Sequence, residues 1–382
     1  MNDKLEGDAR FAWRAGNRVD LLVDADAFYP AMLQSIEQAT TRIWLEMYLV
    51  ESGAVLDRFV AAFVAAAQRG VRVCLLLDDF GCRGMLAADR ERLAAEGVSL
   101  IFYNPLHYGK WRRNLFRDHR KILLVDHRYA FVGGAGLTDD FAPPDRPAMG
   151  WRETMVRIEG PCVADWSALF AKTWRIWGWQ HTALTPCAGA APVHADGYGA
   201  RVAYTSGLGS QEISRTLVQR IRGAEQRVWL ATAYFVPSIR IRRTLRAAAR
   251  RGVDVRLLLP GPHTDHPAVR HAGRRFYHRM LRSGVRVFEF QPRFIHMKVV
   301  TCDDWVSVGS SNVDRWNLRW NLEANQEVED GRFAAIAQRM FEHDFSVSEE
   351  VSIESWRARS WSSRFRERFW GIVDGWLERL SR

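Results

Sequence analysis

The chain is written twice. RIWLEMYLV (Arg42–Val50) is answered by RVWLATAYFV (Arg227–Val236), RGVRVCLLLD (Arg69–Asp78) by RGVDVRLLLP (Arg251–Pro260), and EGVSLIFYNP (Glu96–Pro105) by SGVRVFEFQP (Ser283–Pro292). Self-similarity on this scale limits the fold more than any composition does, because each copy must form the same unit. The repeated segments are strand-like. Helical periodicity over Val55–Gln68 and Ile239–Arg250 ends each time at a glycine, Gly70 and Gly252. Alternating α and β elements predict an α/β fold: two similar domains with central mixed sheets, related by a pseudo-twofold axis.

Each copy continues into the same pattern, HxKxxxxD: HRKILLVD at His119–Asp126 and HMKVVTCD at His296–Asp303. The chain has five lysines against forty-nine arginines, yet two of the five stand two residues after a histidine. A site that keeps lysine in such a chain calls for a compact ammonium and not a planar fork. Residues i and i+2 of a strand share a face, which puts His119 with Lys121 and His296 with Lys298. Asp126 and Asp303 have the opposite parity, and on spacing alone they fix the turn or neighbouring backbone.

Phosphodiester chemistry needs a nucleophile, an acid for the leaving oxygen and cations for the non-bridging oxygens. One half holds one His and one Lys, so both halves must converge on one site. Glycine-rich turns follow, GGAG at Gly133–Gly136 and GSSN at Gly309–Asn312. Gly133 and Gly134 allow close backbone approach to phosphate, and Ser310, Ser311 and Asn312 add donors. Glu153 and Glu323 are placed to bond the far nitrogen of each histidine and fix its tautomer.

The net charge of +10 favours anionic partners, nucleic acid or an acidic membrane surface, and sixteen tryptophans tilt the choice towards lipid. No apolar run approaches eighteen residues and the first residues lack a signal-peptide pattern, so the expectation is a soluble or peripheral protein. Five cysteines without paired spacing read as reduced thiols. His263, His266, His271 and His278 match no metal-ligand spacing and are interleaved with arginines, so no metal and no cofactor are expected. The expected organisation is a first domain over 1–182, a linker over 183–200, a second domain over 201–350 and a basic amphipathic helix over 351–382. That helix either docks on the second domain or lies in the plane of a lipid interface.

These residues resemble the phospholipase D superfamily, whose hallmark is the duplicated HxKxxxxD motif. The resemblance runs from about Leu21 to Phe345. It is nearest to bacterial cardiolipin synthases of the shorter type without amino-terminal membrane spans, in HRKILLVDHRYAFVGG, HMKVVTCDDWVSVGSSNVD and NLEANQEV. It implies a catalytic set of His119, Lys121, Asp126, His296, Lys298 and Asp303. It also implies a ping-pong transfer through phosphohistidine without metal, with His119 as nucleophile and His296 as general acid. The implied substrates are anionic, phosphatidylglycerol-like phospholipids, met by a cytoplasmic protein peripheral on the inner face of the membrane. No obligate nucleic acid or protein partner is expected. The alternatives are a phospholipase D hydrolase and a phosphodiesterase nuclease of the same superfamily. One position departs from the family pattern: Gly136 stands where GGxN has asparagine, so on this reading the first half lacks one polar contact.

Overall fold

The runs that read as strands in the sequence are strands, and they assemble into one sheet. The structure, a computed structural model, describes residues 10–178, 181, 183–186, 192–207, 210–314, 317–360 and 370. Most of the expected C-terminal helix and part of the expected linker lie outside these residues.

The first half contributes β1 (Arg14–Val23), β2 (Arg42–Met47), β3 (Arg72–Asp78), β4 (Ser99–Tyr103), β5 (Lys121–Val125), β6 (Tyr129–Gly133) and β7 (Thr154–Glu159). The second contributes β8 (Tyr198–Ser206), β9 (Arg227–Ala231), β10 (Asp254–Pro260), β11 (Arg286–Phe290), β12 (Val299–Cys302), β13 (Trp305–Gly309), β14 (Leu322–Glu329) and β15 (Ser348–Glu350). Read outwards from the centre, the halves run β1-β7-β6-β5-β2-β3-β4 and β8-β14-β13-β12-β9-β10-β11-β15. Apart from the added edge strand β15, the second order is the first with each strand replaced by its repeat. Antiparallel pairing of β1 with β8 joins them. β2, β3 and β4 are mutually parallel, as are β9, β10 and β11, and the remaining pairs are antiparallel. The mixed α/β fold is as expected, with the two sheets joined edge to edge. β8 begins at Tyr198, inside the segment that reads as linker.

Helices cover both faces. Ala54–Gln68 and Ile239–Arg250 stop where the chain turns left-handed, at Gly70 (φ 86°) and Gly252 (φ 92°), which glycine adopts without cost. Helices Cys162–Trp177 and Gly331–Ser346 bury their apolar faces in a core shared by both halves. That core holds Trp44, Val156 and Trp166 from the first, and Trp229, Met297 and Phe341 from the second. Trp166 Nε1 donates to Gln326 Oε1 at 2.8 Å across the seam. The motif strands β5 and β12 lie mid-sheet and are buried throughout, which explains their near-continuous apolar sequence. Cys74, Cys82, Cys162 and Cys302 are free and buried.

Candidate active site

The two motifs enter the site by the same stitch. His119 N donates to Leu322 O (2.9 Å) and Leu322 N to Arg117 O (2.9 Å). In the other half, His296 N donates to Arg152 O (2.8 Å) and Arg152 N to Phe294 O (2.8 Å). Leu322 precedes Glu323, and Arg152 precedes Glu153. Each stitch therefore carries one half's glutamate to the other half's histidine. His119 Nδ1 lies 3.0 Å from Glu323 Oε1, and His296 Nδ1 lies 2.6 Å from Glu153 Oε2. A carboxylate only accepts, so each Nδ1 carries the hydrogen; the Nε2 of His296 then faces Lys298 Nζ at 3.1 Å.

The lysines are seated differently. Lys121 Nζ donates to His119 O at 2.7 Å and lies 5.0 Å from the centre of the Tyr48 ring. Lys298 Nζ stands 2.8 Å from His296 Nδ1 and 3.4 Å from Glu153 Oε2. All six side chains are buried. Burial pushes Lys121 down to about 7, with Glu323 opposing the fall and the Lys298 charge adding to it. Burial and then the Lys298 charge lower His296 to about 3. Burial lowers His119 too, against the pull of Glu323. Burial alone would raise Glu153, but Lys298 and the His296 bond outweigh it and hold the carboxyl low. Each lysine's charge also bears on the other half's histidine, so the four groups form one electrostatic unit.

The glycine-rich turns divide their tasks. A Cβ on Gly134 would sit 2.1 Å from Glu153 Oε2, so its bareness lets the carboxylate reach His296; one on Gly133 would sit 2.4 Å from Thr154 O. Ser310 Oγ donates to Glu323 Oε2 at 2.5 Å, holding the carboxylate that holds His119. Ser311 Oγ and Asn312 Nδ2 are buried without a partner, which suits donors awaiting an anion.

Asp126 and Asp303 do not join this set. Asp126 accepts from the backbone N–H of Thr40, Thr41 and Arg42, and Asp303 from those of Glu225, Gln226 and Arg227. Both sit in left-handed turns at the far ends of their strands, with φ 51° and 50°. These bonds outweigh burial and hold Asp126 at about 2. These contacts place both at the turns before β2 and β9, as their spacing alone suggested, and away from the His–Lys–Glu set. The Gly136 expectation changes. A Cβ there would meet Leu49 O at 2.6 Å, while Tyr29 Oη donates to Gly136 O at 2.7 Å. The first half is built around the absence of a side chain.

Sequence reasoning missed several neighbours. The Tyr48 ring lies 4.6 Å from that of His119, and Trp151, Phe141 and Phe294 pack on His296 with centroids 5.1–5.8 Å away. Arg152 is buried between Asp344 and Asp24. Beside His119, Arg120 Nη1 donates to Glu46 Oε1 (3.0 Å) and Thr173 Oγ1 (3.0 Å). Burial, with Glu46 adding to the rise, drives the neighbouring Asp118 carboxyl far up. Asp118 and Arg120 flank His119 in the sequence, and that adjacency was the available signal. The helix Pro267–Arg274, basic in sequence, has Arg270 and Arg274 paired with Glu289.

A family model described as "Cardiolipin synthase, PLD-like domain" matches residues 32–174 and 217–345, one stretch in each half. The chain belongs to this family. Cardiolipin synthase A of Pseudomonas aeruginosa is 34% identical over 350 residues, which are 90% of this chain and 70% of the relative. Cardiolipin synthase B of Salmonella typhi is 36% identical over 341 residues, covering 84% and 78%. Among solved structures, phosphatidylserine synthase of Haemophilus influenzae superposes with a TM-score of 0.72 at 13% identity, covering 98% of this chain and 96% of that one. Polyphosphate kinase of Porphyromonas gingivalis gives 0.54 at 15%, covering 85% and 50%. These two likenesses are of fold. No helix among the described residues is long and apolar enough to cross a membrane.

Proposed function

We propose that the protein transfers a phosphatidyl group between phospholipids, as a cardiolipin synthase does, through a covalent phosphohistidine. The observation that carries this reading is the exchange of Glu153 and Glu323 between the halves. It leaves two imidazoles, each bonded at Nδ1 to the other half's carboxylate, in one electrostatic unit with two buried lysines, Lys298 Nζ lying 3.1 Å from His296 Nε2. One neutral Nε2 attacks phosphorus while the other imidazolium gives its proton to the departing alcohol. The second lipid's hydroxyl then attacks phosphohistidine, and the histidine that gave the proton takes one back. Lys121, Lys298, Ser311 Oγ and Asn312 Nδ2 face the charge that builds on the non-bridging oxygens.

The resemblance makes His119 the nucleophile. The surroundings of His296 favour the reverse: burial and then the Lys298 charge against its ring lower it to about 3, which holds it neutral for attack. In both assignments the substrates are anionic, phosphatidylglycerol-like lipids, reached by a protein peripheral on the inner face of the membrane. Expression in a bacterial host lacking cardiolipin, followed by lipid mass spectrometry, tests this. New cardiolipin or a related anionic lipid is expected. Free phosphatidic acid alone would make the protein a hydrolase, and an unchanged lipid profile with cleaved DNA would make it a nuclease.

A further inference from the structure

Every turn that builds the site lies at one edge of the sheet: the ends of β2, β3, β4 and β6 and the starts of β5 and β7 in the first half. The exposed apolar side chains gather at the same edge. Phe80, Leu86, Leu115 and Met149 are 44–63% exposed although they are large and apolar. Phe80 is tied to the motif by hydrogen bonds, and Leu86 and Met149 adjoin the cavity that Trp151 lines. Phe80 N donates to Asp78, which also accepts from Asp118 N beside His119. Leu86 N donates to Ser52 Oγ, and Ser52 and Met149 line a cavity of about 380 Å³ together with Glu51, Asp139, Asp140 and Trp151, the last of which packs on His296. Leu115 lies between Arg113 and Phe116, whose carbonyls are both held by Asn104 Nδ2.

Three more exposed apolar residues reach this edge by topology. Ile176 and Val347 stand where the helices after β7 and β14 return to it, and Ile239 stands where a helix leaves it. Of the nine large exposed apolar residues among the described ones, Trp13 and Val193 lie at the other edge. Scattered single apolar residues need no explanation; seven of nine at the same ends of the strands do. The charges complete the pattern. In the loops after β3, β4 and β6, the exposed charged side chains among the described residues are Arg83, Arg113 and Arg146 against Asp145; the acids Glu51, Asp79, Asp139 and Asp140 are half-buried, and the Arg83 guanidinium lies 5.0 Å over the Phe80 ring. A polar ligand would gain nothing from Phe80 or Leu86, and a protein groove would require a concave apolar surface. Apolar tips beside arginines fit the headgroup layer of an anionic bilayer, where apolar groups sink and guanidinium groups meet phosphate.

We propose that this rim, centred on Phe80, Leu86 and Leu115, seats the protein on an anionic phospholipid bilayer with the catalytic cleft facing the lipid. The inference rests on the phosphatidyl-transfer reading for the source of the lipid, but its test needs no turnover. The full chain and its Phe80→Ser/Leu86→Ser/Leu115→Ser variant are sedimented with vesicles of phosphatidylglycerol in phosphatidylcholine, with Val193→Ser as control. The triple variant is expected to bind about tenfold or more weakly, since each apolar group it loses contributes to insertion. The control binds like the parent. A fluorophore on Leu86→Cys shifts blue when vesicles are added and one on Val193→Cys does not, which keeps the test valid if the triple variant misfolds. The proposal falls if the parent fails to sediment, if the triple variant sediments unchanged, or if ultracentrifugation shows a dimer of the parent that the triple variant breaks. Vesicle binding lost in the variant from a protein that transfers no lipid would retain the rim and remove the transfer reading.

Discussion

The two half-sites descend from one pattern and are supported by opposite means. Around His119 the neighbours are charged: Asp118, Arg120 and Glu46 are all buried. At the corresponding positions around His296 stand Ile295, Met297 and Ala231. There the ring is held by Trp151, Phe141 and Phe294. The turns are unequal as well, Ser310–Ser311–Asn312 in one half against Gly134–Ala135–Gly136 in the other. Because the carboxylates cross over, the polar turn of the second half steadies the histidine of the first. A symmetric pair of motifs has become a division of labour, and substitutions should expose it.

The largest effect separates the histidines. His119→Asn and His296→Asn should each lower transfer by about 10³-fold or more, since nucleophile and acid act as a unit. A donor with an acidic leaving group needs no proton, so it should rescue the variant that lost the acid. Rescue of His119→Asn would make His296 the nucleophile, as its burial beside the Lys298 charge suggests; rescue of His296→Asn would restore the assignment drawn from resemblance.

Next come the crossed carboxylates. Glu153→Gln should cost about 10²-fold or more in kcat, and Glu323→Gln less, because Ser310 remains beside His119. The decisive readout is imidazole nitrogen NMR. Glu153→Gln should move the His296 signals and spare those of His119, although His119 is the histidine of its own half. Movement of His119 alone would refute the crossing.

A third test uses pH. Lys121, lowered to about 7, keeps its ammonium below that value and loses it above. Capture of an anionic lipid, read as kcat/KM, should therefore fall as pH rises through about 7, approaching tenfold per unit. Lys121→Arg should remove that limb, whatever its rate, because a guanidinium stays charged. A profile flat to pH 9 in the parent would show that the charge on Lys121 is not required.

The smallest effects test structural roles. Gly136→Asn should destabilise the fold by about 1–3 kcal/mol through overpacking against Leu49, and it should not raise transfer. A gain in activity with unchanged Tm would restore the missing-contact reading. Asp126→Asn should lower Tm while leaving activity per folded molecule near the parent's. Its folded pKa is depressed, so its contribution is present above the ordinary 3.8 and is lost as pH falls towards about 2. The difference in stability between Asp126→Asn and the parent should narrow over that range.

Much of this was legible in the sequence, and for identifiable reasons. The repeated apolar runs at fixed spacing gave β2, β3, β4 and their copies, since buried parallel strands must be apolar on both faces. HxK on a strand gave two histidines and two lysines, because alternation alone sets their common face. β1 was missed because RAGNRVDLLV is polar where it pairs, and β8 because YGARVAYTS begins in what reads as linker. The crossing of Glu153 and Glu323 could not be seen, since residues 143 and 204 positions apart from their histidines are matched only by a seam in space. Tyr48 and Trp151 were hidden among nine tyrosines and sixteen tryptophans. Gly136 misled because a family pattern says which residue is usual, not how close Leu49 O comes.

The crossed carboxylates also set the moment during synthesis at which chemistry becomes possible. When the first half leaves the ribosome, Glu153 has no histidine to orient, and His119 still lacks its carboxyl until residue 323 has been added. Domains fold in order as they emerge, so for most of translation the nascent chain carries an HxK pair with no means of holding its histidine for attack. Reactivity towards lipid is thus delayed, by topology alone, until the second copy has closed on the first.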